Sequence, residues 1–104
     1  MARVLFVSHD GDLRAVSARV LTRAGLEVTT ASHGGHASLA CVEGPPFDVL
    51  VLADWGTDAE GDALAARLRR YCPELRVVKM TRRPFTADDL VTGVLREAFA
   101  LATA

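Results

Sequence analysis

The sequence predicts a doubly wound α/β domain built around a parallel sheet. Two kinds of hydrophobic spacing alternate along the chain: short apolar runs typical of buried strands, and stretches with apolar residues three or four positions apart. Single helices between successive strands imply right-handed crossovers and hence parallel strands. The 104 residues contain no repeat, linker or low-complexity stretch, which favours a single domain over residues 1–104.

The first half of the chain predicts two strands and two helices. Residues 4–7 form a continuous apolar run, typical of a short strand buried on both faces. Asp12 is expected to cap the next helix, which Gly25 ends. Residues 27–31 are short and β-branched, as in an edge strand, and residues 34–42 predict a weak helix that ends at a Gly-Pro-Pro turn.

The second half predicts the same alternation. Residues 47–53 form the strongest strand, residues 60–71 a helix, and residues 75–80 a fourth strand. Thr86 and Asp89 have the spacing of a capping box, which opens a last helix. The apolar stripe of that helix consists of Leu90, Val91, Val94, Leu95, Ala98 and Phe99.

Composition excludes several classes of protein. Half of the residues are hydrophobic and the net charge is −1, which argues against a disordered segment and a generally basic nucleic-acid binder. No apolar run approaches the roughly 20 residues of a membrane span, and the chain does not begin with a signal peptide. Cys41 and Cys72 are expected to be buried thiols and not a disulfide. We therefore expect a cytoplasmic protein.

Short motifs follow the predicted strands in a fixed order. They are Val7-Ser8-His9-Asp10, Ala31-Ser32-His33-Gly34, residues 48–53, Gly61, residues 77–81 and Arg83-Pro84-Phe85. Together they resemble, over nearly the whole chain, the receiver domain of response regulators (CheY-like). The resemblance implies a flavodoxin-like fold and a role in bacterial signal transduction.

One departure from that family is a deletion. Only five residues, 81–85, join the fourth strand to the cap of the last helix, where a receiver has a further helix and a fifth strand. The resemblance therefore implies a truncated sheet of four strands in the order 2-1-3-4. The fourth strand would be an edge, and Lys79 in its middle either protects that edge or helps to bind a partner or a second copy.

The phosphorylation pocket implied by the resemblance is degenerate. Receivers hold Mg²⁺ with an acidic pair after the first strand and accept phosphate on an aspartate that ends the third. Ser8 and His9 replace the pair, Ala53 replaces the acceptor, and Arg83 replaces the conserved lysine of the family, while Thr81 still matches its hydroxyl residue. Ala53 has no nucleophile, and a hydroxyl and an imidazole are poor substitutes for carboxylates around Mg²⁺. We therefore expect no catalytic residue, no metal and no cofactor.

A neighbouring carboxylate remains as an alternative acceptor. Asp54 directly follows Ala53, and a shift of one residue turns a strand side chain to the opposite face, although a bend at the strand end could offset this. Asp10 or Asp58 would then help to hold the metal. The other interpretation is that Asp54 and Asp58 are solvated loop residues.

Basic residues concentrate late in the chain. Seven of them are Arg67, Arg69, Arg70, Arg76, Lys79, Arg82 and Arg83. Such a patch raises association rates with acidic partners. The candidate interaction residues are Arg70, Arg76, Lys79 and Arg82, with Trp55 either filling the emptied pocket or anchoring a partner.

The predicted function is that of a stand-alone pseudo-receiver, which is not an enzyme and binds proteins independently of phosphorylation in two-component or cell-cycle signalling. The expected partner is a histidine kinase, another regulator, or a second copy that binds through the edge of the fourth strand. Nucleic acid is disfavoured, because the sequence has neither a helix-turn-helix pair nor an aromatic stacking platform. The alternative is a non-standard phosphoryl-accepting regulator that uses Asp54.

Overall fold

The computed structural model describes residues 2–53, 55–80 and 86–103, which form four strands and four helices. The strands are β1 (Arg3–Val7), β2 (Glu27–Ala31), β3 (Val49–Ala53) and β4 (Arg76–Met80), and the helices are α1 (Gly11–Arg23), α2 (Gly34–Glu43), α3 (Asp58–Leu68) and α4 (Ala87–Thr103). The strands pair in parallel in the order β2-β1-β3-β4. This is the truncated flavodoxin-like sheet that the sequence predicted.

The two central strands are buried on both faces. On one face Leu5 and Leu50 pack beneath α2 and α3, and on the other Phe6 and Val51 pack beneath α1 and α4. All four side chains are fully buried. Burial on both sides explains why β1 and β3 have continuous apolar sequences instead of an alternating pattern.

The N-terminus of α1 is capped by a different aspartate from the one expected. The Asp10 carboxylate accepts hydrogen bonds from the backbone nitrogens of Asp12 and Leu13, at 3.0 and 3.1 Å. The prediction that Asp12 is the cap was wrong, because the helix begins at Gly11 and Asp12 lies in its first turn. Gly25 follows the helix with a φ of 89°, a conformation that favours glycine.

Capping boxes open the last two helices. Before α3, the Thr57 nitrogen donates to Glu60 Oε2 and the Glu60 nitrogen donates to Thr57 Oγ1, so the helix begins earlier than residue 60. Before α4, the Thr86 nitrogen donates to Asp89 Oδ2 at 2.9 Å and the Asp89 nitrogen donates to Thr86 Oγ1 at 3.1 Å. The second box confirms the prediction from sequence.

The outer strand and the last helix complete the core. α4 packs across β4 and β3, and Leu90 and Val94 of its predicted stripe are buried. The side chains of Ala98 and Phe99 lie outside the described part of the chain. β4 is the last strand of the described sheet, and all five of its residues are only half-buried. No helix in the described ranges is long and apolar enough to cross a membrane.

Candidate functional site

The loops that follow β1 and β3 meet at one end of the sheet. Val7 pairs with Leu52, so the carboxyl ends of these two central strands lie side by side. Ser8 and His9 leave β1 at this end, and Ala53 is the last residue of β3. The structure therefore brings together the three positions at which the sequence departs from an acidic pocket.

Ser8 is part of the turn between β1 and α1. It is fully buried, and its backbone nitrogen donates to the Ala31 carbonyl at 3.1 Å. Its Oγ accepts a hydrogen bond from the Asp10 nitrogen at 3.2 Å, and its carbonyl accepts one from Arg14 Nη1 at 2.7 Å. These bonds fix the turn, and they direct the Ser8 hydroxyl towards the backbone of its own loop.

His9 and Trp55 form a stacked pair above the strand ends. Their ring centroids lie 4.4 Å apart, and the ring planes differ by 12°. His9 is exposed, whereas Trp55 is half-buried against the cluster beneath α2 and α3. The aromatic pair thus occupies the mouth of the region where a receiver would present carboxylates.

A cleft of about 630 Å³ opens beside this pair. It is lined by His9, Trp55, Gly56, Glu60, Ala63, Leu64 and Arg67. One wall is α3 and the other is the aromatic stack, and the charged residues Glu60 and Arg67 have opposite signs. The cleft offers an aromatic surface, a guanidinium group and a carboxylate, which can bind a ligand through stacking and charge.

Ala53 ends β3 as a fully buried residue. Its methyl group belongs to the apolar cluster that includes Phe6 and Val51, and it pairs across the sheet with Met80. A methyl group has no lone pair with which to accept a phosphoryl group. The structure thus places an apolar residue where the third strand of a receiver provides its acceptor.

The magnesium ion that receivers use does not fit these residues. Mg²⁺ requires several oxygen ligands in near-octahedral geometry. Ser8 Oγ is bonded to its own turn, the His9 ring is stacked, and Ala53 has no oxygen. Among the described residues there is also no group of three or more His, Cys, Asp or Glu side chains that could hold a metal.

Four of the sequence-predicted site residues lie outside the described residues. They are Asp54, Thr81, Arg82 and Arg83. The roles of Asp54 as an alternative acceptor and of Arg82 in an interface therefore remain predictions.

Lys79, a predicted interaction residue, is already paired with α3. Its Nζ lies 2.6 Å from Asp62 Oδ1 and 3.7 Å from Asp58 Oδ1. The hydrogen bond to Asp62 raises the pKa of Lys79, although partial desolvation acts in the opposite direction. The ammonium group is therefore held over the α3 face of the sheet by two carboxylates.

The other predicted interaction residues do not form one patch. Arg76 begins β4 opposite Val49, whereas Trp55 follows β3 at the other end of the sheet. Arg70 is exposed just beyond the end of α3. The structure thus separates a basic region near the start of β4 from the aromatic cleft.

His33 caps the start of α2, in agreement with the interpretation of this stretch as surface or cap histidines. Its Nδ1 accepts hydrogen bonds from the backbone nitrogens of Gly35 and His36, at 3.1 and 3.3 Å. The two imidazole rings also stack, with their centroids 3.9 Å apart. The signal for this role in the sequence is the position of His33. It directly precedes the helix, at the N-cap position that Ser, Thr, Asp or Asn usually occupies.

The two cysteines meet in the core although they are 31 positions apart in sequence. Both are free and buried in the cluster beneath α2 and α3, as expected. The Phe47 nitrogen donates to Cys72 Sγ at 3.3 Å. Burial, followed by the charge and hydrogen bonding of the Cys72 thiol, raises the pKa of Cys41 to about 12. Both thiols therefore contribute as small packing groups.

The fold is that of a receiver-type domain, shortened between β4 and α4. Three features define it: the strand order, the helices on both faces of the sheet, and the loops that meet beyond β1 and β3. No family model matches the chain. The transcriptional regulatory protein TcrA of Mycobacterium tuberculosis is 35% identical over 88 residues, which are 85% of this chain and 34% of that protein. The chain thus spans about a third of the length of this curated relative.

Solved structures show the same fold. A response regulator receiver domain protein from Clostridium thermocellum has a TM-score of 0.81 at 17% identity, covering 99% of this chain and 98% of that one. The receiver domain of the hybrid histidine kinase CckA has a TM-score of 0.72 at 23% identity, covering 92% and 98%. Sequence and fold together show that the chain has the receiver-type fold and is similar in sequence to a response regulator. The resemblance predicted from sequence is confirmed.

Proposed function

We propose that this receiver domain acts in two-component signalling by binding another protein, without accepting phosphate. The observation that carries the proposal is the apolar end of β3, where Ala53 is fully buried. A receiver switches because phosphate and Mg²⁺ add charge at this point and rearrange the surrounding loops. An alanine has no carboxylate oxygen to accept the phosphoryl group, so this change in charge cannot begin at Ala53.

The residues around Ala53 support a fixed conformation. Ser8 is bonded within its turn, and His9 is stacked on Trp55. The absence of carboxylates at these positions also removes the mutual repulsion that Mg²⁺ relieves in an acidic pocket. A domain of this kind would present one constant surface, and its output would depend on the concentration of its partner.

The partner we favour is a protein of the same signalling systems, either a histidine kinase or another regulator. Trp55 and Arg67 line an accessible cleft in which a partner side chain would find an aromatic face and a guanidinium group. We make the same proposal for any longer protein that contains this domain. Its location in the cytoplasm remains a prediction.

The first test is phosphorylation by acetyl phosphate with Mg²⁺, followed by intact-mass measurement. We expect no phosphoryl adduct on the wild-type protein. A mass gain that disappears in Asp54→Ala would overturn the proposal and establish the alternative acceptor. A mass gain that persists in Asp54→Ala would also overturn it, by showing another acceptor.

The second test is an amide-resolved NMR titration with Mg²⁺ and then with beryllofluoride, a phosphoryl mimic. We expect the signals of Ser8, His9 and Ala53 to stay unshifted at millimolar Mg²⁺. Saturable shifts that spread from Asp54 towards Thr81 would contradict the proposal. The indole signal of Trp55 serves as an internal reporter, because it is the single tryptophan of the chain.

A further inference from the structure

The outer edge of β4 presents a defined set of backbone hydrogen-bonding groups. The Arg76 nitrogen donates to the Asp48 carbonyl at 2.9 Å. This bond determines which residues of β4 direct their backbone groups towards β3 in the parallel ladder. In such a ladder, alternate residues bond to the same neighbouring strand. The N–H and C=O groups of Val77 and Lys79 therefore point away from the sheet. Within residues 2–53, 55–80 and 86–103, no main-chain partner occupies this outer row.

The charge that would protect this edge is neutralised. A lysine in an edge strand normally discourages pairing with another strand. Here Lys79 is held by Asp62 at 2.6 Å and Asp58 at 3.7 Å, so that its charge is balanced within its own chain. The methylene part of its side chain also lies 3.7 Å from the position that a Cβ atom on Gly61 would occupy, which places it against α3. The lysine thus leaves the edge open to a second strand.

The helix beside this edge is self-complementary in charge. The first half of α3 carries acidic residues, and its end and the following turn carry basic ones. The acidic residues are Asp58, Glu60 and Asp62, and the basic residues are Arg67, Arg69 and Arg70. Two copies related by a two-fold axis perpendicular to the sheet would bring the acidic end of each α3 towards the basic end of the other. A second copy therefore has the charge pattern that steers association at this edge.

We propose that a second copy of this chain pairs with β4 in antiparallel orientation, around a two-fold axis that passes beside Val78. Val77 of each chain would lie opposite Lys79 of the other, and the four outward N–H and C=O groups of each edge would form four hydrogen bonds across the axis. The two sheets would then form one continuous sheet of eight strands. This inference goes beyond the proposed function, because the second copy binds at the edge of β4, whereas the signalling partner proposed above would use the cleft beside Trp55.

The side chains of β4 are compatible with this register. Arg76 would lie opposite Met80, and Val78 opposite Val78 of the second copy, so no like charges face each other directly. Since β4 is an edge because the helix and strand that follow it in other receivers are missing, the pairing uses a surface that a full-length receiver covers. The interface is isologous, and it closes after two copies.

The test is sedimentation equilibrium of the wild-type protein and of two variants at one position, Val77→Lys and Val77→Glu. We expect a concentration-dependent dimer for the wild type. Lysine at position 77 would face Lys79 of the second copy, whereas glutamate would pair with it. Each contact occurs twice, so we expect the lysine variant to dimerise at least about tenfold more weakly than the glutamate variant. Equal behaviour of the two variants, or a wild type that stays monomeric at millimolar concentration, would overturn the pairing.

Hydrogen exchange provides a second readout that does not depend on a variant. Arg76 and Val78 bond to β3, so their amides should be protected at every protein concentration. The amides of Val77 and Lys79 should gain protection only as the dimer forms. A dimer in which these two amides exchange freely would place the interface elsewhere and refute the proposal.

Neither experiment uses a phosphoryl donor, so the two proposals can fail separately. A chain that accepts phosphate on Asp54 and still pairs through β4 would refute only the proposed function. A chain that accepts no phosphate and remains monomeric would refute only the pairing.

Discussion

The imidazole ring of His9 lies nearly parallel to the indole ring of Trp55, with 4.4 Å between their centroids. His9 occupies a position where receivers carry an acid, and Trp55 comes two residues after the position of their phosphate acceptor. A stacking contact therefore lies beyond the ends of β1 and β3. This contact links the loops after β1 and β3.

The first prediction is that the two rings stabilise the fold through each other. Trp55→Ala and His9→Ala should each lower the free energy of unfolding. A double-mutant cycle should give a coupling of about 0.5–1.5 kcal/mol, the usual range for stacked aromatic pairs. The measurement is urea unfolding followed by circular dichroism. Trp55→Phe serves as a control that keeps an aromatic face, and a coupling near zero would contradict the prediction.

The second prediction concerns a carboxylate at the end of β3. Ala53→Asp should lower the free energy of unfolding by about 3 kcal/mol at neutral pH, because Ala53 is fully buried among apolar side chains and burial disfavours the charged form. Burial would raise the pKa of the new carboxyl group, so the loss of stability should grow as the pH rises above its unfolded value. Ala53→Asn has a similar shape without the charge. Equal losses in both variants at all pH values would show that size and not charge is the cause.

The third prediction concerns the cap of α2. His33→Ala should destabilise the protein by about 1 kcal/mol, because the backbone nitrogens of Gly35 and His36 lose the acceptor that caps them. His33→Asn should retain most of the stability, since its side-chain oxygen can accept the same bonds. Chemical unfolding of the three proteins provides the comparison. An asparagine variant as unstable as the alanine variant would assign the effect to the stack with His36 instead.

The fourth prediction follows from the raised pKa of Cys41, about 12 against an ordinary value of 9.0. Because the folded state keeps the thiol protonated, its contribution is fully present below pH 9 and is lost as the pH rises towards 12. The free energy of unfolding should therefore fall between about pH 8 and about pH 11 more steeply in the wild type than in Cys41→Ala. Urea unfolding across this range is the measurement. Parallel pH profiles of the two proteins would show that Cys41 does not contribute.

The fifth prediction concerns the carboxylates that hold Lys79. Replacing both Asp58 and Asp62 by asparagine leaves the ammonium group unbalanced at the edge of β4. The paired β4 strands should then dissociate already at higher protein concentration than in the wild type, and the effect should be larger at low salt, where screening is weak. Light scattering at two ionic strengths measures this change. Glu60→Gln removes a nearby acid that does not bind Lys79, and it should have a smaller effect.

The order of the elements was predictable because each leaves a local pattern. β1 and β3 have continuous apolar sequences, since both of their faces are covered, and the capping box of Thr86 and Asp89 has a fixed spacing. The residue at which each helix begins was harder to predict from the sequence. Asp10 and Asp12 both precede apolar residues of α1, and only the backbone conformation selects Asp10 as the cap. The start of α3 was placed late for the same reason, because Thr57 and Glu60 also fit a loop.

The sequence by itself determined the fold, the shortened segment after β4 and the presence of an alanine at the end of β3, because these depend on residue type and order along the chain. Tertiary structure alone decided which distant side chains meet. His9 reaches Trp55, Lys79 reaches Asp62, and Cys72 lies against Cys41. The physical reason is that a contact between residues far apart in sequence requires the packing of whole strands and helices, and no local pattern records that packing.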